Sequence, residues 1–144
     1  MNLYTTGIVK HSAQHFFEVL KHEGVKRMLD IRLKNTSQLA GFTKKQDLPY
    51  FLQELCGISY YHMQELAPTN DILVDYKRNG LWDEYEEKFK NLMRERRIIE
   101  RLKKGFFGEK CCLLCVEATP EHCHRRLVAE AIRQRWPEIN IIHL

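Results

Sequence analysis

The spacing of apolar and polar positions switches between a period of two and a helical period along the chain, and the switches mark its elements. Residues 3–6 read as a short strand closed by Gly7. Ser12 caps a helix over 13–22 with Phe16, Phe17 and Leu20 on one side, and Gly24 stops it. Residues 25–31 form a second strand ending at Asp30-Ile31-Arg32. A loop with a Gly41-Phe42 turn fills 33–47, a short helix covers 48–55, and 58–62 is a third strand. Residues 70–78 are helical with Asn70 or Asp71 as the cap. Residues 81–104 form a longer helix or a broken pair, with Trp82, Tyr85, Phe89, Leu92 and Met93 at helical spacing.

The run 111–117 is almost wholly apolar, which suits a strand covered on both faces. Thr119-Pro120-Glu121 after it has the form of a helix start, with Thr at the cap and Pro at the first turn. That helix runs to about Trp136, Pro137 ends it, and 139–143 is the last strand. Alternating strands and helices imply an open three-layer α/β/α fold with a mostly parallel, Rossmann-like sheet. No repeat, low-complexity tract or linker divides the chain, so one domain over 1–144 is expected.

Open parallel sheets bind ligands outside the carboxyl ends of their strands. Here those ends carry Thr5-Thr6-Gly7 followed by His11-Ser12, then Asp30 with Arg32, His62 with Glu65, and Glu117. The richest stretch is Cys115-Val116-Glu117 followed by His122-Cys123-His124-Arg125. A helix start there offers unpaired N–H groups, favours anions and lowers a thiol pKa. The expected site therefore uses Glu117 or His11 as acid–base group, Cys123 as nucleophile and Asp30 beside them. Arg32, Ser37, His62, Glu65 and Arg125 would bind the substrate. Arg125 falls off the apolar stripe of its helix, so a surface ion pair competes with that role. His124 falls in the middle of the stripe, where packing and catalysis are equally good readings. Cys111, Cys112 and Cys115 read as buried strand residues.

No metal site is assigned, because the spacing of Cys115, Cys123 and His124 matches no zinc signature; with His11 or His62 they would nevertheless supply a donor set. No phosphate-binding P-loop, dinucleotide fingerprint or hydrolase elbow occurs, and no cofactor is named.

Charge adds one feature. The net charge of +4 equals the surplus between residues 94 and 104, where six basic side chains face Glu95 and Glu100. Arg97, Arg101 and Lys104 would line one helical ridge for nucleic-acid phosphates. The five cysteines are odd in number and mostly late in the chain, which argues against a disulfide framework. Without a long apolar run or the apolar block of a signal peptide, a cytosolic protein without a membrane partner is expected.

Taken together, these pieces resemble a known family, domain-of-unknown-function family 488. They comprise Tyr4-Thr5-Thr6-Gly7 with His11-Ser12, Leu29-Asp30-Ile31-Arg32, Gly57-Ile58-Ser59-Tyr60 with His62, and Leu113-Leu114-Cys115-Val116-Glu117 with Pro120 and Cys123-His124-Arg125. The chain departs from the family pattern where Ile8-Val9-Lys10 separate Gly7 from His11-Ser12. The resemblance implies an α/β fold and convergence of the polar residues, and names no reaction. The leading reading is an enzyme acting on an anionic, phosphate- or nucleotide-containing substrate. The rivals are a nucleic-acid- or protein-binding module and a Cys/His metal-binding protein.

Overall fold

The computed structural model describes residues 1–9, 11–36 and 41–144; Ser37 lies outside them. Five strands form one sheet in the order β3-β2-β4-β1-β5, and every neighbouring pair is parallel. They are β1 (Asn2–Gly7), β2 (Arg27–Asp30), β3 (Ser59–His62), β4 (Cys111–Cys115) and β5 (Asn140–His143). The helices are α1 (Ala13–Glu23), α2 (Leu48–Cys56), α3 (Asn70–Asn79), α4 (Trp82–Arg96), α5 (Ile98–Arg101) and α6 (His124–Arg135). This is the open, Rossmann-like α/β architecture that the alternating pattern implies.

Strand alternation divides the core in two. Leu3, Leu29, Cys111 and Leu113 face α4 and α6, where Phe89, Met93, Leu127, Val128 and Ile132 complete one cluster. Tyr4, Met28, Cys112 and Leu114 face α1 and α2 with Phe16, Phe17, Leu20, Leu48 and Leu52. After β2 the chain crosses to the α2 face, and after β4 it crosses to the α6 face. Neighbouring strands whose connections diverge in this way open a crevice at their carboxyl ends.

Two boundaries differ from the sequence reading, and a third decides between alternatives that it left open. Thr69, not Asn70 or Asp71, caps α3; its hydroxyl accepts from the Ile72 N–H. Of the two readings of 81–104, the broken pair is the one observed: the break falls at Arg97, which takes a left-handed φ of 51° and turns Ile98 into the core. The final helix starts at His124 with Cys123 as its N-cap, four residues later than Thr119-Pro120 suggests. Residues 118–123 form a tight return instead, with the Cys123 N–H donating to the Pro120 carbonyl. Among the described residues no helix is long and apolar enough to cross a membrane.

Candidate functional site

The centre of the site is the connection from β4 to α6. Cys115 is the last residue of β4 and points to the α6 face, continuing the alternation of Cys111 and Leu113. Arg125 anchors the return loop. Its side chain is fully buried, and its guanidinium donates to Thr5 Oγ1 (3.2 Å), to the Glu117 carbonyl and to the Ala118 carbonyl (3.5 Å). The Val116 carbonyl accepts from the N–H groups of Ile8 and Val9 and ties the same loop to the end of β1. Gly7 makes this approach feasible: a Cβ there would stand 1.7 Å from the Glu117 carbonyl oxygen.

The anchored loop brings Cys123 back over Cys115. The Cys123 thiol donates to Cys115 Sγ at 2.8 Å, and Cys115 Sγ lies 3.4 Å from His124 Nδ1. The other ring nitrogen, Nε2, is 2.7 Å from the Ile31 carbonyl. A carbonyl only accepts, so Nε2 carries the proton and Nδ1 presents its lone pair to Cys115. Phe89 packs edge-on against the ring at 5.5 Å and fixes its plane. The result is a thiol beside a base that a third group orients, the arrangement that activates nucleophilic cysteines.

Local electrostatics separate the two thiols. Burial opposes a Cys115 thiolate, but the hydrogen bond from Cys123, the N–H groups of Glu117 and Val116 and the nearby Arg125 outweigh it, so this thiol lies below its ordinary value. The hydrogen bond to Cys115 and burial push the Cys123 thiol well up. The depressed thiol is thus on Cys115, whereas the sequence reading put the reactive thiolate on Cys123. Burial pushes Cys111 up to about 12.

Cys115, Cys123 and His124 floor a cleft of about 280 Å³. Its walls include Leu73, Val74 and Lys77 of α3, Tyr85 of α4, Lys34 after β2, and Glu117 and His122 of the return loop. Trp82 stacks on both Tyr85 (4.9 Å) and His122 (5.1 Å) and stiffens this wall. The donor atoms of Cys115, Cys123 and His124 lie within 4.8 Å of one another, the one Cys/His/carboxylate group of metal-holding size among the described residues. Neither His11 nor His62 belongs to it.

The other expected site residues are distributed unevenly. Glu117 lines the cleft but is exposed, because β4 ends two residues earlier than expected. Arg32 reaches the cleft edge, yet its guanidinium is engaged: it grips both oxygens of Asp30 at 2.8 Å and donates to Thr43. Asp30 is itself fully buried and also accepts from the Tyr60 hydroxyl. The pair is therefore part of the wall on the α1–α2 side of the sheet. His62 places Nε2 2.9 Å from the Arg32 carbonyl, and exposed Glu65 offers its own carbonyl to Arg96. His11 stacks on His15 near Arg125, and burial and these two neighbours hold its pKa below the ordinary value. Asp30, His11, His62, Glu65 and Arg125 are not among the residues lining the cleft.

The basic segment does not form the expected continuous ridge. Arg97 sits at the helix break and pairs with Glu100 (2.7 Å), Arg101 donates to the Arg96 carbonyl, and Lys104 pairs with Glu138 in the turn beyond α5. Sequence reasoning did not find the Trp82–His122 stack or the Cys115–His124 contact, since both join elements distant in the chain or across a tight return.

The family described as Domain of unknown function DUF488 matches residues 12–132. No curated protein and no solved structure matches the chain.

Proposed function

The chain belongs to the family Domain of unknown function DUF488, and from that premise we propose that it is an enzyme whose nucleophile is the Cys115 thiol. The observation that carries this reading is the 3.4 Å approach of Cys115 Sγ to His124 Nδ1, with Nε2 fixed by the Ile31 carbonyl at the floor of a cleft. His124 takes the thiol proton as general base. Cys123 donates to the sulfur and holds it in place. Glu117 and His122 at the rim exchange protons with the substrate and its leaving group.

The substrate is small and carries an anionic group. Lys34 and Lys77 stand exposed at the cleft. Behind its floor, Arg125 is fully buried without a carboxylate partner among the described residues. A buried cation without a counter-charge favours negative charge nearby, on Cys115 or on a bound anion. The five free cysteines suit a reducing, cytosolic setting.

The test is iodoacetamide labelling of Cys115 followed by peptide mass spectrometry. His124→Gln is expected to slow labelling at Cys115 by at least about a hundredfold, the lower end of general-base contributions. Equal rates in the two proteins would remove His124 from the reaction.

A further inference from the structure

The proposed nucleophile has a neighbour that nucleophilic displacement by a single thiol does not require. Cys123 Sγ lies 2.8 Å from Cys115 Sγ, inside the normal contact distance of two sulfurs. Both sulfurs line the same cleft. Arg125 holds the loop between them through the Glu117 and Ala118 carbonyls, so both ends of the pair are fixed by one buried side chain. Reaching the covalent S–S length of about 2.05 Å requires a shift of less than about an ångström.

We infer that Cys115 and Cys123 are a thiol–disulfide exchange pair, and that their substrate is a small disulfide bearing carboxylates. This rests on Cys115 being the reacting thiol of the cleft. His124 Nδ1 takes the Cys115 proton, and the sulfur attacks one sulfur of the substrate disulfide. The Cys115–substrate S–S bond forms as the substrate's own S–S bond breaks, and the departing thiolate takes the proton from His124. Cys123 then loses its proton to His124 and attacks Cys115 Sγ. The Cys115–Cys123 bond forms, the mixed disulfide breaks, and the second substrate thiolate leaves with that proton. One substrate disulfide gains two electrons and two protons and becomes two thiols, while the protein dithiol becomes a disulfide. An external thiol reductant resets the pair.

The cleft sets the substrate class. Its volume of about 280 Å³ admits a low-molecular-weight disulfide. Its apolar stretches, Leu73, Val74 and Tyr85, accept a short aliphatic chain. Lys34 and Lys77 receive carboxylates at the rim.

The experiment uses the reduced full-length chain and 3,3′-dithiodipropionate, a dicarboxylate disulfide, with the dicationic disulfide cystamine as comparison. Released thiol is counted, the reaction is quenched with N-ethylmaleimide, and the cysteine products are mapped by peptide mass spectrometry. The wild-type chain is expected to release two thiols and to contain a Cys115–Cys123 link, at least about fivefold faster with the dicarboxylate. Cys123→Ser is expected to stop at a Cys115 mixed disulfide with one thiol released. A wild-type chain that also stops at the mixed disulfide overturns the exchange pair and leaves the Cys115 nucleophile standing. So does a Cys115 that iodoacetamide alkylates but neither disulfide touches. A Cys115 inert to both reagents removes the underlying reading as well. A link that forms only after a chelator strips bound zinc reassigns the trio to metal binding. Equal rates with the two disulfides overturn the carboxylate specificity.

Discussion

Replacing Arg125 with methionine tests how the site is assembled. The side chain is fully buried and its guanidinium serves Thr5, Glu117 and Ala118 at once. Each hydrogen bond to a charged group is worth about 1.5–3 kcal/mol. Two factors reduce the sum. Glu117 and Ala118 lie in a partly exposed loop, so water can replace the lost donors at their carbonyls. Methionine also removes the cost of burying a cation. Thr5 is fully buried and loses its donor outright. The expected net loss is about 2–3 kcal/mol. With a urea slope of about 1–3 kcal/mol/M for a small protein, the midpoint of equilibrium unfolding followed by circular dichroism should fall by roughly 1 M. Arg125→Lys should lie between methionine and wild type, because a single ammonium cannot span all three acceptors. A methionine variant with an unchanged midpoint would show that Arg125 does not hold the loop, and would free it for direct contact with substrate.

Other consequences follow from the same geometry. Gly7→Ala forces a Cβ onto the Glu117 carbonyl and should cost about 1–3 kcal/mol or more, read as a lower urea midpoint. Asp30→Leu leaves Arg32 buried and uncompensated and should cost about 3–5 kcal/mol, whereas Asp30→Leu with Arg32→Met should recover most of that loss. A double variant no more stable than the single one would show that the ion pair is not what Asp30 supplies. His143 bears on the pH dependence: burial and Arg125 hold its pKa below 6.5, and Thr5 places its hydroxyl 2.6 Å from Nδ1. The unfolded chain therefore binds this proton more readily. Stability should be level above pH 6.5 and fall as the pH drops through 6.5 toward the folded-state value. His143→Gln should flatten that fall in a series of melting temperatures, with the remainder due to His11.

Much of the fold was legible because its signals are local. Ser12 caps α1 and Gly24 ends it at φ 72°, as the sequence implies. The apolar run at 111–115 forms the strand between β1 and β2. Of the polar residues singled out after the strands, Arg32, Glu117 and Cys123 line the cleft. What failed depends on contacts that periodicity does not encode. Thr119-Pro120 has every local mark of a helix start, but the Arg125 guanidinium draws the Glu117 and Ala118 carbonyls into a return that delays the helix to His124. Arg125 looked exposed because it lies off the apolar stripe; its partner Thr5 is 120 residues away. Cys115 is the buried strand residue that the pattern implies, but its contacts with Cys123 and His124 were not legible, because nothing in a nine-residue segment shows that its two ends meet. Asp30 and Arg32 were correctly placed on one side of β2, yet Tyr60 and Thr43, which enclose them, come from other elements.

The proposed function requires that Cys115, only 4% exposed, react at the cleft floor. The most direct measurement is the order in which iodoacetamide labels the five cysteines of the native reduced chain, resolved by peptide mass spectrometry over time. Cys56 is the internal reference, because it is more accessible but burial raises its thiol pKa. Cys115 is expected to be labelled ahead of Cys56, with Cys111 and Cys112 silent until the chain unfolds. Labelling of Cys56 first, with Cys115 modified only on denaturation, would contradict the proposed function.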